Sequence, residues 1–565
     1  MLLNHLVKIP SETRKVVFQK RKDVAYVLFE IDRVYVPERK LTLPKRVAIG
    51  KRCPDQPDMM WPNEKYYEIF TNEAMPETES GTRSSCLKLG SHIVINRVLE
   101  EQQLPQILGN HFDERDVGLI IDLAAYQIIE ERNAAQYYPD YAYNHPLFTP
   151  DMKVVSDCTV SDFFGSITDE QIQDFLTEWN AKQDRKDRIY ISYDSTNKNS
   201  QAGDIDILEF GKAKDEAGLP IFNLSLAFDQ TNEKPLFYEM YPGSINDVSQ
   251  FKYMVDRAID YNYKNIGFIL DRGYFSRSNI EYMDKNNFAF IMMIKGCKPL
   301  VNGLVLEAFG NFEYDPDCLL NRLKISGCSF RRKLHEDGRQ RYIHLYFSPD
   351  RMNEERNRLL QNLNEMKLLH EKSKGKEVSF TAAHEHYFDL SFDTKGRFLC
   401  ASQKKDVIEQ ELKLCGYFAI VTSEEMTAED AYRLYKGRDS SEKLFRADKS
   451  FLGGASMRVH SQESLAAKTF IGFIALIMRN RIYCLLREQM MRLESKRNYL
   501  TVPAAIRELE KIEMIRGQDG RYRIDHALTR VQKNILGSFG IDEEWVRKDA
   551  IKVADALAVN TEKRK

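Results

Sequence analysis

Three acidic residues stand where a carboxylate can be presented to a ligand. Asp194 closes the alternating run RIYISYD, Asp271 closes NIGFILD, and Glu442 lies within the helical stretch YKGRDSSEKLFRADK. Taken singly, an Asp at a strand end is commonly a turn residue, and a Glu between basic neighbours on a helix commonly faces water. Taken together, carboxylates from two strand ends and one packed helix can converge on a point. Converging acids repel one another unless cations sit between them. Hard oxygen ligands select Mg2+ or Mn2+, which keep positions open for water and phosphate oxygens. Two such ions, about 3.5–4 Å apart, activate an attacking oxygen and stabilise a leaving one in phosphodiester transfer.

A second pattern surrounds the third acid. Tyr435, Arg438, Glu442 and Lys449 fit Y-x2-R-x3-E-x6-K. On one continuous helix these positions, i, i+3, i+7 and i+14, form a single stripe. A phenol, a guanidinium, a carboxylate and an ammonium make a poor core stripe. They suit a surface where the Glu binds metal and its neighbours hold phosphates.

The elements that must position these residues are legible as changes of period. RIYISYD, LPIFNLSLAFD and KPLFYEMYPG read as three strands. NDVSQFKYMVDRAIDYN follows as an amphipathic helix with Phe251, Met254, Val255 and Ile259 on its apolar face. NIGFILD is a short buried strand, SRSNIEYMDKNN a helix, and FAFIMMIK another strand. This β-β-β-α-β-α-β order over 188–296 predicts an α/β fold, a mixed sheet with helices on its faces. Residues 297–423 are irregular and read as a β-rich insertion that interrupts this domain, which resumes over 424–490. Period-two patterning over 15–60 predicts a small basic β-rich unit within 1–75. The polar stretch 75–85 reads as a linker, 86–180 as a helical segment that links or binds DNA, and 491–565 as a helical tail. Thr168 and Gln171 form a capping box before a helix ending near Trp179. His384 and His386, in AAHEHYF, read as a strand with both imidazoles on one face.

Composition bounds the rest. The 565 residues are 43% hydrophobic and 29% charged, which excludes a mostly disordered chain. At roughly 100–200 residues per domain, three to five domains are expected. The longest apolar run, Phe470 to Met478, is shorter than the roughly 20 residues of a membrane span. The N-terminus lacks the pattern of a signal peptide, so an intracellular protein without a membrane partner is expected. Nine cysteines without a C-x-x-C pair read as reduced thiols. Net charge is −2, yet residues 1–53 hold 13 basic and 5 acidic groups and residues 431–500 hold 14 and 6, a balance of +8 in each. Two basic zones on an acidic background are candidate polyanion contacts.

On these residues the chain resembles the bacterial DDE transposases of insertion sequences that carry the Tyr-Arg-Glu-Lys signature. YDSTN is similar to their first motif and DRGYFS to their second. The intervals of 77 and 171 residues between the acids are also similar, the longer one to members with a β-rich insertion before the Glu helix. RVAIGK and MWPNEKYYEIF resemble the N-terminal region of one branch. The resemblance implies a ribonuclease-H-like fold in which Asp194, Asp271 and Glu442 hold two Mg2+ ions, or Mn2+ in their place. It implies nicking of double-stranded DNA at inverted-repeat ends, then attack of the freed 3′-hydroxyl on target DNA. Tyr435, Arg438 and Lys449 would position the end's backbone, with Thr196 and Arg272 supporting the acids or the DNA. The partners would be both DNAs and a second subunit in a homodimer, in the cytoplasm. Residues 1–180 would recognise the end and 188–490 catalyse.

One departure stands out. Relatives that excise through a hairpin capture a flipped base partly with an insertion Trp, but the tryptophans here are Trp61, Trp179 and Trp545. Tyr314, Phe330, Tyr342 and Phe380 are the aromatic candidates for that role. Two other functions fit parts of the pattern: a nuclease that cleaves without joining, and an inactive derivative that binds DNA as a regulator.

Overall fold

The computed structural model describes the chain apart from residues 1–4, 12–14, 22–23, 37–39, 55, 71–82, 184–187, 201, 203–204, 212–217, 246, 296, 321–322, 336–337, 455, 495–496 and 563–565, and apart from some side chains, Glu442 among them. Most of the expected linker 75–85 therefore lies outside the described residues. The chain divides into two compact units. One comprises Met1–Phe175, Asp448–Gly454 and Val459–Lys565, the other Leu176–Ala447 and Ala455–Arg458.

The first unit opens with an antiparallel sheet of strands β1 (Val7–Lys8), β2 (Val16–Arg21), β3 (Val24–Val36), β4 (Leu41–Arg52) and β5 (Met59–Pro62), in the order β1-β5-β4-β3-β2. Alternation puts Val27, Phe29, Ile49 and Met60 on one face, where they bury Tyr66 of the helix Glu64–Ile69. Asn63 caps that helix by accepting from Tyr66 N. The helical segment follows. Thr168 and Gln171 exchange the reciprocal bonds of a capping box.

The helix Gln462–Arg492 packs among the helices Gly90–Gln102, Glu114–Glu130 and Asp157–Ser166. Its Phe470 stacks on Phe112 and meets Phe175 edge-on. By length and composition this helix qualifies as a membrane span, but its apolar residues are mostly buried within the unit, as in a core helix.

Two expectations are corrected here. Residues 462–490 belong to this unit and not to the sheet that carries Asp194 and Asp271. Residues 491–565 are not wholly helical, because β18 (Glu513–Arg516) pairs antiparallel with both β19 (Tyr522–Ile524) and β6 (Cys86–Lys88). Polar groups around the buried His145 lock the closure. Glu510 accepts from His145 Nε2 at 2.8 Å and faces Lys88 Nζ at 3.4 Å.

The second unit is built on nine strands: β7 (Ile189–Asn199), β8 (Ile221–Asp229), β9 (Lys234–Pro242), β10 (Ile266–Leu270), β11 (Ala289–Met293), β12 (Leu319–Leu320), β13 (Ile325–Lys333), β14 (Gln340–Phe347) and β17 (Tyr417–Thr422). Their order is β12-β13-β14-β17-β11-β10-β7-β8-β9. Strands β7, β10 and β11 run parallel, and the remaining pairs are antiparallel. On one face the helix Asp247–Asp260 buries Phe251, Met254, Val255 and Ala258, while Ile259 is exposed, not part of the apolar face as expected. Phe251 meets Tyr193 and Phe268 there.

Segment 297–423 is only partly a separate body. Strands β12, β13, β14 and β17 extend the same sheet, and the hairpin of β15 (Phe388–Phe392) and β16 (Phe398–Gln403) stands apart from it. His384 and His386 lie on the helix Ala382–Tyr387, not on a strand. His384 Nδ1 lies 2.8 Å from His370 Nε2, while His386 Nε2 lies 3.4 Å from Glu411 Oε1.

Candidate active site

Strand β7 is longer than RIYISYD implied. Asp194 lies within it, because the pairing with β8 continues through Ser195↔Ser225 to Asn199↔Ile221. Strand β10 ends at Leu270, which pairs with Tyr193. Asp271 comes next, still extended at φ −69° and ψ 160°. Parallel neighbours at matched positions share a face, so the register sets Asp194 and Asp271 side by side on one face of the sheet. The apolar residues on either side, Tyr193 and Leu270, point to the opposite face and are buried.

The chain then turns sharply away from Asp271. Tyr274 N donates to Asp271 O at 3.0 Å, and Asn279 Nδ2 donates to Tyr274 O at 3.0 Å. Tyr274 is buried against Tyr193. Ser276 caps the next helix, Arg277–Lys285. In this way DRGYFS fixes the second acid at the end of its strand.

The third element covers the face that carries both acids. The helix Ala428–Gly437, capped by Thr427, buries Tyr435 with Ile269, Ile291 and Ile420. The expected single stripe is in fact two helices. Arg438 joins the first to Asp439–Phe451 with helical dihedrals, φ −52° and ψ −29°. A side chain at Gly437 would bring its Cβ to 2.8 Å from Gln230 Oε1. Gln230 in turn donates to Ser192 Oγ at 2.8 Å and, through its backbone, to Tyr190 O at 2.8 Å. Sequence reasoning missed Gln230, which sits in a turn with no periodic signal.

Tyr435 and Arg438 both reach Asp271. The Tyr435 hydroxyl donates to Asp271 Oδ1 over 3.4 Å, and Arg438 Nη1 lies 2.8 Å from the same oxygen. The Arg438 guanidinium also stands 5.4 Å from the centre of the Tyr435 ring, within cation–π range. Asp194 Oδ1 accepts from Ser195 N at 2.8 Å. Thr196 is buried on the same face of β7 as Asp194, and Arg272 is exposed. Glu442 is on Asp439–Phe451, with its side chain outside the described atoms. Lys449 is in the last turn of that helix, in the segment assigned to the other unit. Of the aromatic candidates, Tyr314 is largely exposed and meets Phe347 edge-on, whereas Phe380 packs on His370 and Phe398.

The donors fit a hard divalent cation: two carboxylates, both partly exposed, on one face beside a helix that carries a third. Among the described residues no group of three or more His, Cys, Asp or Glu side chains is placed to hold a metal.

Both aspartates, and all of this sheet but the first residues of β7, lie inside the part of the sequence that a known family describes. Residues 193–478 match the family model for the transposase DDE domain, over half of the chain. The chain belongs to the DDE transposase family. Among solved structures it is similar to piggyBac transposase in a synaptic complex with hairpin DNA, at 7% identity and TM-score 0.31, over 78% of this chain and 85% of that one. It is also similar to Mos1 transposase in a paired-end complex with the left transposon end, at 10% identity and TM-score 0.14, over 40% and 65%. No curated protein matches the sequence.

Proposed function

We propose that this protein is the transposase of a bacterial insertion sequence, with a ribonuclease-H-like catalytic core over 188–296 and 424–447. It cuts DNA at the ends of its element and joins the freed ends to a target. The carrying observation is the parallel register that pairs Leu270 with Tyr193 and so matches Asp271 with Asp194. Asp194, Asp271 and Glu442 would hold divalent ions, Mg2+ or Mn2+. Bound there, such ions lower the pKa of an attacking water or hydroxyl and stabilise the leaving oxygen.

The protein's own contribution is position. The rigid strands fix two carboxylates, Tyr435 orients Asp271, and the helix Asp439–Phe451 brings Glu442 from the covering layer. Lys449 and the basic residues of 1–53 supply cations for double-stranded DNA. Two copies acting on two ends, in the cytoplasm, complete this reading.

The test is a plasmid carrying two element ends, incubated with purified protein and Mg2+. Nicks at the ends and covalently joined products are expected. Asp194→Asn and Asp271→Asn should abolish both while DNA binding persists. Nicks that never lead to joined products would instead favour a nuclease of the same fold. DNA binding with neither product would favour an inactive regulator.

A further inference from the structure

Asp271 already has a cation. Arg438 Nη1 lies 2.8 Å from its Oδ1, with only 15% of the arginine side chain and 37% of the aspartate side chain exposed. The guanidinium also faces the Tyr435 ring, and the backbone N–H of Arg438 donates to Tyr435 O at 3.2 Å, which fixes the main chain at the helix junction. Tyr435 adds its hydroxyl to the same carboxylate oxygen.

This oxygen belongs to the carboxylate that a hard divalent ion would need. A guanidinium and a divalent cation at one carboxylate repel each other, and in a partly buried site water screens them incompletely. A guanidinium pairs equally well with a phosphate, which it can grip through a bidentate fork. On the transposase reading above, DNA would bring phosphates to this face.

We propose that Arg438 is a positioning residue that exchanges partners. It competes with the divalent ion for Asp271 until a DNA phosphate draws the guanidinium away. Metal binding and DNA binding are thereby coupled through one side chain. Because such coupling is reciprocal, metal tightens DNA binding by the factor by which DNA tightens metal binding. The inference rests on the metal-dependent transposase reading above and adds to it the order in which the site is completed.

The experiment is Mn2+ binding to the full chain, read by the electron paramagnetic resonance of free Mn2+. It is run with and without a pre-cleaved end duplex bearing a 3′-dideoxy terminus, which blocks chemistry, and with the duplex alone as control. For the wild type the duplex should tighten Mn2+ binding about tenfold, within the usual range of coupling factors. Arg438→Ala should bind Mn2+ about tenfold more tightly without DNA, and the duplex should then add little. Arg438→Lys, which keeps the charge without the fork, should retain part of the competition. A thermal melt establishes that each variant is folded.

Unchanged or weaker Mn2+ binding by a folded Arg438→Ala overturns the exchange but leaves the metal site standing. A wild type that binds no Mn2+ under either condition, and does not nick end DNA with Mg2+, overturns both the exchange and the reading beneath it.

Discussion

Leu270 pairs with Tyr193 across two parallel strands, and an aspartate follows each of them. Because side chains alternate along a strand, a slip of one residue would send one carboxylate to the opposite face. The register therefore decides whether the site exists.

Gly267 guards that register. It pairs with Tyr190, and a Cβ at this position would lie 2.6 Å from the Tyr190 ring. Gly267→Val should destabilise the second unit by roughly 2–3 kcal/mol, as overpacking does. It should cut nicking by far more than it cuts DNA binding. Urea denaturation beside a nicking assay checks this, and a variant with full activity would show that the close approach is unimportant.

Lys449 is expected to meet a phosphate. Lys449→Ala should weaken DNA binding and lower the slope of log affinity against log salt by about one. Titrations at four salt concentrations give the slope. An unchanged slope would remove Lys449 from the DNA contacts.

His344 ties three strands together without charge. Thr422 Oγ1 donates to Glu424 O at 2.7 Å, so His344 Nε2 must donate to Thr422 Oγ1 at 3.0 Å, and Nδ1 accepts from Ser329 Oγ at 2.8 Å. Burial lowers its pKa to about 4. The unfolded chain therefore takes up the proton first as pH falls. The contribution, roughly 3 kcal/mol, is full above about pH 6.5 and is lost as pH drops toward 4. His344→Asn should flatten this part of the stability profile, measured by urea midpoints between pH 7 and 4.5.

The first 180 residues should not fold alone. Phe112 and Phe175 pack on Phe470, and β6 pairs with β18, so a fragment 1–180 leaves these surfaces bare. It should lack a cooperative thermal transition, and end recognition must then be tested in the full chain. In that chain Phe470→Ala should cost about 3–5 kcal/mol. A sharp melt for the fragment would refute this.

What the sequence made legible was local. The strands around Asp194 and Asp271 carry strict alternation or short apolar runs, and Ser276 and Thr427 cap the helices that follow. The contacts it hid are long-range or context-dependent. Cys86–Lys88 meets Glu513–Arg516 more than 400 residues later, and no period reports such a partner. Asp194 looked like a strand end because the polar run Ser195–Asn199 breaks the apolar alternation, yet β8 pairs with all of it. His384 and His386 looked like strand residues because their i, i+2 spacing fits one face of a strand, but they lie on a six-residue helix. The alternation of RIYISYD set Asp194 apart from Ile189, Ile191 and Tyr193, whereas Asp271 follows a continuous apolar run and its face is set by the register with β7. The joint at Arg438 was not readable, because the one local signal, Gly437, is a single glycine of the kind that helical patterns often tolerate without a break.

The extension of the sheet by β17, β14 and β13 has a consequence for how this chain can change. Strand β11, AFIMM, is apolar along its whole length and is flanked on one side by β10 and on the other by β17. Excising 297–423 as though it were a detachable module would leave β11 as an open, greasy border. Such a border pairs with the next molecule it meets. A shortened descendant would precipitate before it lost catalysis, unless charges or a proline arrived on β11 first. Segment 297–423 thus seals the border that β11 would otherwise present.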